Sequence, residues 1–469
     1  MVSLIDSHAH LTSKEFDNDR AGVLQRSRDA GVRYIVNPGT NLEDSKRAVA
    51  LAESREEVYA CVGVHPHDAK SADDSVLGAI EELSAHPKVV AIGEIGLDYH
   101  YDFSPREDQR RVFREQLAIA QRRNLPVVIH TREAMAETLA MVQEAVDVDN
   151  DWRREEVGVH SRYPSPKGVF HCFPGDVSTG WRVLNMGFVI SLPGIVTFKK
   201  SGHAREVAAA LPVERMLLET DSPYLAPIPY RGKRNEPANI PLIAAAIAEQ
   251  QGLSIDDVAR ATNYAALKVF GIGDLGAPRY TYTLRDSLYV NLTIRCNADC
   301  VFCDRKGEAV IKGINLKIDK EPTPEEVIAE IGDPSKYHEI VFCGYGEPTI
   351  RFEALKEVAG WVKDHGGKTR LNTNGHGSII NKRNIIPEMV GLIDAVSISL
   401  NATEPEQYGR LMQLDGPMFF SAMLEFTREA VRFLPRVVLT IVDLDEVDKE
   451  KAKSLADDVG AEFSTRTYF

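Results

Sequence analysis

Histidine and carboxylate side chains of the metal-binding type recur at the ends of apolar runs in the first half of the sequence. His8 and His10 follow the apolar pair Leu4-Ile5. Because residues two apart on an extended chain point to the same side, both imidazoles can reach one ion. Further residues of this type stand where later apolar runs end: Glu94, His130, His171 and Asp221. The pattern predicts a metal centre built from several strand ends.

Four histidines and two carboxylates at one place can hold two divalent ions. Two ions about 3.5–4 Å apart activate water and stabilise the leaving oxygen of a hydrolysed ester. We expect Glu94 to bridge the two ions. Any one of these histidines could instead be a hydrogen-bonded core residue, but six candidate ligands in register favour the metal centre. His and carboxylate ligands suit Mg, Mn or Zn, so the sequence does not choose the metal.

A second group of chemically active residues is the Cys-x3-Cys-x2-Cys segment formed by Cys296, Cys300 and Cys303. Three thiolates can bind three irons of a [4Fe–4S] cluster and leave the fourth iron open to an outside ligand. A zinc site would usually have four protein ligands. Cys343, the other cysteine of this half of the chain, is expected to be a buried strand residue.

Repeated strand and helix patterns up to residue 270 are typical of βα units around a parallel sheet. Eight such units predict a (β/α)8 TIM barrel, in which the carboxyl ends of the strands converge on one mouth and bring the candidate ligands together. The predicted strands are Leu4 to Asp6, Tyr34 to Asn37, Tyr59 to Val64, Val89 to Ile92, Val127 to Ile129, Val169 to His171, Phe188 to Ser191 and Met216 to Glu219.

A Gly- and Pro-rich stretch after Phe270 predicts a linker at residues 271–284, between a first domain at 1–270 and a second at 285–469. The second domain has about six predicted strands, which are too few to close the same barrel and predict a partial (β/α)6 barrel. These strands are Tyr289 to Thr293, Ile340 to Phe342, Thr369 to Asn372, Ala395 to Ser399, Val437 to Ile441 and Phe463 to Tyr468.

The composition is that of a globular protein with two or three domains: 469 residues, 43% hydrophobic and 26% charged. No apolar run approaches the roughly 18 residues of a membrane span, and no signal peptide precedes the first strand, so we expect a cytoplasmic protein without a membrane partner. Six unevenly spaced cysteines favour a reducing compartment. The net charge of -14 argues against a general basic surface for nucleic acid, so a phosphodiester substrate would need local cations or metal.

Five motifs of the first half resemble those of TatD-family hydrolases in the amidohydrolase superfamily: Asp6-Ser7-His8-Ala9-His10, Gly63-Val64-His65-Pro66, Gly93-Glu94-Ile95-Gly96-Leu97-Asp98-Tyr99, Gly168-Val169-Phe170-His171-Cys172-Phe173 and Glu219-Thr220-Asp221-Ser222-Pro223-Tyr224-Leu225. The resemblance implies a metal-dependent deoxyribonuclease that acts on the ends of single-stranded DNA or RNA, or on nucleotides. It assigns the six side chains named above as metal ligands, with Asp221 and Glu94 as catalytic residues. His65 and Arg231, in the basic turn Arg231-Gly232-Lys233-Arg234, are then expected to contact substrate.

The cysteine spacing resembles the radical S-adenosylmethionine (SAM) superfamily, and Gly344-Tyr345-Gly346-Glu347-Pro348 is similar to the turn that receives the amino group of SAM. The resemblance implies a [4Fe–4S] cluster, SAM as cofactor, radical chemistry on an unknown substrate and a reductant such as flavodoxin or ferredoxin. The expected SAM contacts are Gly344, Gly346, Glu347, Pro348, Asn374 and Ser397.

Two alternatives stay open at this point. The first domain could hydrolyse an ester or amide, such as an aminoacyl linkage on RNA, because two ions activate water toward carbonyl and phosphoryl centres alike. The second domain could be an iron–sulfur redox sensor or docking module.

His67 and His100 are expected at the surface. The stretch between His130 and His171 is long, and its extra residues are expected to form a lid over the barrel mouth: Arg153, Arg154, His160, Arg162 and Tyr163.

Overall fold

A computed structural model describes residues 3–149, 151–153, 165–303 and 307–466 of the chain. These residues form two compact units, the first ending at Leu275 and the second beginning at Gly276. Each unit has its own hydrophobic core, as expected for a chain too long for a single one. None of the helices in the described residues is long and apolar enough to cross a membrane.

The first unit contains one sheet of eight parallel strands in sequence order, which confirms the predicted barrel architecture. The strands are β1 (Leu4–Asp6), β2 (Val32–Pro38), β3 (Val58–Val62), β4 (Val89–Asp98), β5 (Val127–Arg132), β6 (Gly168–Phe170), β7 (Val189–Leu192) and β8 (Met216–Leu218). The helices are α1 (Arg20–Asp29), α2 (Leu42–Ser54), α3 (Asp74–Leu83), α4 (Arg106–Arg123), α5 (Met135–Val148), α6 (Val177–Asn185), α7 (Ala204–Ala210), α8 (Ile240–Gln251) and α9 (Ile255–Phe270).

Backbone hydrogen bonds close the sheet between its first and last strands. The amide of Ser7 donates to the carbonyl of Leu218 at 2.9 Å, and the amide of His10 donates to Ser222 at 2.8 Å. The amide of Asp221 returns a bond to the carbonyl of His8 at 2.9 Å. The chain that leaves β1 therefore lies beside the chain that leaves β8, at the carboxyl end of the barrel.

Strand β4 is the longest strand of the barrel, and all ten of its residues are buried. It includes the carboxylates of Glu94 and Asp98. Gly96 lies opposite His130 of β5 in the register. Its φ is +141°, and a Cβ there would lie 1.9 Å from the His130 carbonyl oxygen. Glycine at this position therefore allows β4 and β5 to approach closely enough to share a site.

The described residues on either side of the long connection between α5 and β6 lie at the amino ends of the strands. The indole of Trp152 is buried and donates to the carbonyl of Leu125, just before β5. The guanidinium of Arg153 donates to the carbonyls of Lys268 and Val269, at the end of α9. Both contacts are on the side of the barrel opposite the candidate ligands, so Arg153 itself does not lie over the mouth. The other residues named for the expected lid lie outside the described residues: Arg154, His160, Arg162 and Tyr163.

The second unit contains a seven-stranded sheet with the order β17-β16-β15-β14-β13-β10-β9. Six strands are parallel, as predicted, and β9 pairs antiparallel with β10 at one edge, within the stretch predicted as a linker. The strands are β9 (Thr281–Leu284), β10 (Ser287–Val290), the hairpin β11 (Val310–Ile311) and β12 (Ile314–Asn315), β13 (Ile340–Phe342), β14 (Thr369–Thr373), β15 (Ala395–Ser399), β16 (Val437–Val442) and β17 (Glu462–Arg466). The helices are α10 (Pro324–Ile331), α11 (Phe352–Asp364), α12 (Gly377–Ile380), α13 (Pro405–Met412), α14 (Gly416–Phe433) and α15 (Lys449–Val459).

The two faces of this sheet differ in chemistry. Leu371, Val396 and Leu439 belong to the apolar core with the helices. Alternate residues of the same strands point to the opposite face, and there the sheet carries polar side chains such as Asn372 and Ser397, which are neighbours in the register of β14 and β15. One face of the sheet thus packs against the helices in the core, and the other face carries polar side chains that could bind a ligand.

Candidate active sites

The six predicted metal ligands come from strand ends of the barrel, and they meet at its carboxyl mouth. His8 and His10 follow β1, whereas Glu94 and His130 lie within β4 and β5. His171 is the first residue after β6, and Asp221 follows β8 in the left-handed backbone region, at φ 53°. Three groups of three side chains have ligand atoms close enough to share a metal ion: His8, His171 and Asp221; His8, His10 and Glu94; and His65, Glu94 and His130.

The two oxygens of Glu94 face two different sets of donors. Oε1 lies 2.9 Å from His130 Nδ1 and 2.8 Å from His171 Nε2. Oε2 lies 3.4 Å from His8 Nε2 and 3.5 Å from His10 Nε2. Asp221 Oδ1 completes the second set, at 3.4 Å from His10 Nε2. The carboxylate therefore stands between two clusters of donors, as a bridging ligand would.

The spacing of the ring nitrogens fits metal coordination. His8 Nε2 and His10 Nε2 are 3.2 Å apart, and His130 Nδ1 and His171 Nε2 are 3.3 Å apart. Two ligands at about 2.0–2.1 Å from a tetrahedral ion are separated by about 3.3 Å. The residues present therefore fit divalent ions in both their chemistry and their separation.

The electrostatics of the cluster keep its carboxylates ionised. Burial alone would raise the pKa of Glu94, but the surrounding histidines, His171 and His65 first, hold that pKa well below its usual value. Burial likewise acts to raise the pKa of Asp221, and His10 and His8 lower it. Burial opposes protonation of His171, but Glu94 and Glu219 raise its pKa well above the ordinary value. Ionised carboxylates are the form that binds metal.

Asp98 connects one of the candidate ligands to the loop that follows β4. Its Oδ2 lies 3.1 Å from His130 Nε2 and 3.0 Å from His67 Nε2, and its Oδ1 accepts bonds from the amides of His100 and Tyr101, each at 3.0 Å. Because His130 Nε2 faces this carboxylate, its Nδ1 is left to face Glu94 and an ion. Such a partner fixes the tautomer and orientation of a metal-binding histidine.

His65 also reaches this centre, but one of its ring nitrogens has a different kind of hydrogen-bond partner from those of the predicted metal ligands. Its Nδ1 accepts a bond from the amide of His67 at 3.1 Å. Burial lowers the pKa of His65 to about 4, so its ring is neutral and its proton lies on Nε2. Nε2 is 3.4 Å from Glu94 Oε1. In this tautomer His65 is a hydrogen-bond donor to an oxygen atom rather than a ligand that offers a lone pair.

Exposed aromatic rings flank the cluster. Tyr101 and Phe103 are stacked with centroids 5.2 Å apart, and both contact the ring of His67 edge-on. They are 46% and 56% exposed, which is unusual for such large side chains. On the other side, Tyr224 is 56% exposed, and its ring centroid lies 6.3 Å from that of His10. The open side of the cluster is therefore bordered by rings on which planar groups can stack.

In the second unit, the three cysteines of the Cys-x3-Cys-x2-Cys segment lie on an irregular stretch between β10 and β11. The amides of Asp299 and Val301 donate to the carbonyls of Met412 and Leu411 at the end of α13. Cys300 Sγ lies 3.4 Å from the sulfur of Met412, and Cys296 also packs against the core. Three thiols on one ordered segment are a suitable donor set for a [4Fe–4S] cluster.

A chain of buried polar side chains supports this cysteine segment. Asn297 Nδ2 donates to His376 Nδ1 at 3.0 Å, and His376 Nε2 is 2.8 Å from the hydroxyl of Tyr408. Asn374 Nδ2 donates to Asn297 Oδ1 at 2.8 Å. Burial lowers the pKa of His376 to about 4, so this ring is neutral. The segment is therefore fixed from β14 and α13 through neutral hydrogen bonds.

The glycine turn after β13 packs directly on the chain that leads into the cysteine segment. A Cβ at Gly344 would lie 2.1 Å from Asn291 Oδ1, and one at Gly346 would lie 2.2 Å from the carbonyl oxygen of Thr293. The amide of Glu347 donates to Arg295 at 2.9 Å. Only glycines permit this approach, so the two motifs that lie far apart in sequence are adjacent in space.

The side chain of Glu347 is fully engaged within the protein. Its oxygens accept bonds from Thr349 N and Oγ1, from Thr373 Oγ1 and from Asn374 N, at 2.6–3.1 Å. Four donors fill the approximate capacity of a carboxylate. In this conformation Glu347 links the turn to β14, and Pro348 begins the short helix that Glu347 caps.

Ser397 lies within β15 and accepts a bond from Arg466 at 3.0 Å. No contact between Ser397 and the cysteine segment is found in the described residues.

The model of the TatD related DNase family matches residues 5–271 of this chain, more than half of its length. The chain belongs to the TatD family. The model of the radical SAM superfamily matches residues 290–459. The protein is thus an enzyme with a TatD-type metal-dependent hydrolase domain and a radical SAM domain, in agreement with both resemblances seen in the sequence.

Relatives of the TatD unit include proteins with and without a described activity. The uncharacterized metal-dependent hydrolase YabD of Bacillus subtilis is 39% identical over 269 residues, which cover 57% of this chain and 99% of YabD. The 3'-5' ssDNA/RNA exonuclease TatD of Escherichia coli is 35% identical over 274 residues, covering 57% of this chain and 99% of that protein. The crystal structure of the E. coli TatD homologue YJJV has a TM-score of 0.52 at 30% identity and covers 58% of this chain and 98% of YJJV.

Sequence reasoning missed several residues of the TatD site. Asp98 lies two and four residues beyond Gly96 and Glu94 on β4, so the two-residue alternation of the strand is a signal for it. His67, expected at the surface, is 28% exposed and bound to Asp98. His100 is 40% exposed, paired with Glu133. Arg231 is exposed and lies over the ring of Phe198 at 4.5 Å, whereas Arg234 of the same turn is already paired with Asp19.

Replacing Asp98 by alanine is expected to weaken divalent-metal binding about 10- to 100-fold, because His130 loses the partner that orients it. Metal titration of the purified chain, followed by elemental analysis, measures this effect. Asp102→Ala is the matched control, since Asp102 is exposed and pairs only with Arg106 among the described residues. Equal affinity in the Asp98 and Asp102 variants would contradict the orienting role.

Proposed function

We propose that the TatD unit hydrolyses phosphodiester bonds at the ends of single-stranded DNA or RNA, and that the second unit cleaves SAM reductively for radical chemistry. The observation that carries the first part is the position of Glu94 between two sets of donors. It supports a pair of divalent ions held by the six predicted ligands. Ions in such a pair activate water and stabilise the charge on the leaving oxygen.

Asp221 is the best candidate for the general base. It is 14% exposed, whereas Glu94 is 3% exposed, so Asp221 is more accessible to water. His10 and His8 keep its pKa low despite burial, and the ionised carboxylate can therefore accept a proton. Glu94 is placed to hold the centre together rather than to exchange protons. His65, as a neutral donor at Nε2, is placed to bind a phosphate oxygen of the substrate, and Arg231 offers a cation beside the mouth.

The flanking aromatic rings support a nucleic-acid substrate. Bases stack on exposed aromatic side chains irrespective of sequence, and such stacking contributes about 1–3 kcal/mol per base. The stacked pair of Tyr101 and Phe103 on one side and Tyr224 on the other provide such surfaces. The name of the E. coli relative, a 3'-5' ssDNA/RNA exonuclease, points to the same substrate class.

The Asp221→Asn and Glu94→Gln variants are expected to release mononucleotides from single-stranded DNA at least about 100-fold more slowly than the wild type, because each loses an ionised carboxylate. Release is measured by chromatography after loading with a divalent metal. Glu133→Gln, at an exposed carboxylate paired with His100, is the control and should keep full activity.

The same assay separates the nuclease from the alternative ester or amide hydrolase. If the metal-loaded wild type releases no nucleotide from single-stranded DNA or RNA but cleaves an aminoacyl ester of RNA, the phosphodiesterase assignment is wrong. Loss of both activities in the Asp221 variant would show that one centre serves them.

The Phe103→Ala variant tests the stacking surface. Loss of one base contact should raise KM for a single-stranded oligonucleotide between about 5-fold and about 150-fold, with a smaller change in kcat. Phe103→Tyr keeps an aromatic face and should retain the wild-type KM. The stacking role is wrong if alanine leaves KM unchanged, or if tyrosine is as harmful as alanine.

For the second unit, we propose a [4Fe–4S] cluster bound by Cys296, Cys300 and Cys303, with SAM at the iron that has no protein ligand. When bound, the cluster would supply the electron that cleaves SAM to methionine and a 5'-deoxyadenosyl radical, and this radical would become 5'-deoxyadenosine by taking a hydrogen atom from the substrate. The turn at Gly344 and Gly346, which packs against the chain leading into the cysteine segment, would contact the cofactor. Asn374 reaches the cysteine segment directly. Glu347 and Pro348 position the turn.

Several further assignments of this unit are part of the proposal. An electron donor such as flavodoxin or ferredoxin would reduce the cluster. Such a cluster and its free thiolates before assembly require a reducing compartment, which favours the cytoplasm. The domain boundary is proposed within residues 271–284, a range that contains the division between the two compact units at Leu275 and Gly276, and whose last four residues form β9.

Cys300→Ser is expected to lose most of the iron bound after anaerobic reconstitution, and to form no 5'-deoxyadenosine with SAM and dithionite. Cys343→Ser should retain the wild-type iron content, because Cys343 follows β13 outside the cysteine segment. Iron analysis and chromatography of the products check both variants. An intact wild-type cluster that forms neither 5'-deoxyadenosine nor methionine would instead favour a redox sensor.

A further inference from the structure

The polar face of the second sheet contains two arginines whose charges are not balanced. Arg370 of β14 is 23% exposed and pairs with Glu339 at 2.8 Å. Arg466, the last described residue of β17, is partly buried and forms no ion pair within the described residues. Its one side-chain hydrogen bond among those residues goes to Ser397 Oγ at 3.0 Å. Among the described residues, these two guanidinium groups and the carboxylate of Glu339 together carry one net positive charge.

The two arginines lie on either side of a pair of neutral polar side chains. Asn372 and Ser397 are neighbours in the register of β14 and β15. Arg370 Nη1 donates to Asn372 Oδ1 at 3.2 Å, and Arg466 donates to Ser397. The result is a continuous row of hydrogen-bonding groups across the sheet, from Arg370 to Arg466. Nearly all of these groups can donate to an oxygen atom.

Burial of an unpaired guanidinium is unfavourable, since a charge removed from water needs an opposite charge or several hydrogen bonds. Burial lowers the pKa of Arg466, and the nearby charge of Arg370 acts in the same direction, whereas Cys343 and Tyr289 act to raise it. One hydroxyl does not satisfy the five N–H groups of a guanidinium. An arginine with this environment is typical of a site that receives an anionic ligand, because its planar donors match phosphate and carboxylate oxygens.

We propose that Arg466, with Arg370, Asn372 and Ser397, binds an anionic group of the radical substrate, either a phosphate or a carboxylate. This inference rests on the proposed radical function of the unit and adds the chemical class of its substrate. It also changes the role expected for Ser397, from a SAM contact to a substrate contact.

SAM itself matches this site less well. At neutral pH its sulfonium and ammonium groups outweigh its carboxylate, so it carries one net positive charge. The site has a net positive charge as well. The row of donors also lies at the level of Asn372 and Ser397, within the strands, whereas the cysteine segment and the glycine turn follow strand ends. An anionic substrate is therefore the better electrostatic partner.

Site-specific protection of arginine tests the proposal on the full chain. Phenylglyoxal modification is followed at Arg466 by peptide mass spectrometry, after a chelator has removed ions that could bind the added anion. Inorganic phosphate and acetate are the two probes. One of them should slow modification of Arg466 at least 5-fold and thereby identify the anion class. Arg436 is the internal control, because it is exposed and paired with Glu462. Absence of protection, or equal protection of both arginines, overturns the proposal.

Variants provide a second measurement that does not depend on reagent access. The protecting anion should raise the unfolding temperature of the wild-type chain and of Arg436→Gln, but not that of Arg466→Gln. The reconstituted Arg466→Gln protein should bind SAM within 2-fold of the wild-type affinity and form 5'-deoxyadenosine without substrate at the wild-type rate. A 10-fold loss of SAM affinity would instead assign Arg466 to the cofactor and overturn the proposal. If the wild type with an intact cluster makes no 5'-deoxyadenosine, the radical function fails, whatever the anion measurements give.

Discussion

The buried carboxylate of Glu94 is the interaction on which the first site depends. It lies on a strand whose ten residues are all buried, with histidines from three other strand ends directed at its two oxygens. A carboxylate so far from water is stable only when positive charge surrounds it. The histidines supply part of that charge in this structure, and the proposed ions would supply the rest. Closure of the barrel brings these partners together, since the chains after β1 and β8 are bonded to each other at the mouth.

Asp98 extends this arrangement outward from the centre. One of its oxygens faces His130 and the other accepts bonds from the amides of His100 and Tyr101, so the same side chain positions a candidate ligand and a candidate base-stacking surface. In the second unit, neutral hydrogen bonds position the residues of the candidate site. Asn374, Asn297 and His376 connect the cysteine segment to the sheet, and close glycine packing places the turn of Gly344 and Gly346 against it. Neutral groups suit a region where a proposed cluster and a charged cofactor already concentrate charge.

The two units therefore have their candidate sites at comparable places, near the carboxyl ends of parallel strands. They differ in which charged side chains lack a partner of opposite charge. In the TatD unit, the histidines and carboxylates are crowded together, and the proposed metal ions would complete their coordination. In the described part of the radical SAM unit, the guanidinium of Arg466 on the polar face of the sheet has no ion-pair partner. The proposed ligands accordingly differ in sign: cations in the first unit and an anion in the second.

Much of the fold and of the candidate sites could be predicted from the sequence alone, because ligand spacing and strand periodicity are local properties. The HxH pair, the cysteine spacing and the βα alternation predicted both folds, the families and the residues that meet at the barrel mouth. Tertiary structure decided what depends on register and on partners distant in sequence. It revealed the contacts of Asp98 and the hydrogen bond that the amide of His67 donates to His65, and it showed Glu347 engaged by Thr349, Thr373 and Asn374. It also placed both described ends of the long connection after α5 opposite the mouth, since a helix in this barrel returns the chain to the amino ends of the strands. Composition and spacing do not encode which groups remain without a partner, because that is known only when every neighbour is in place.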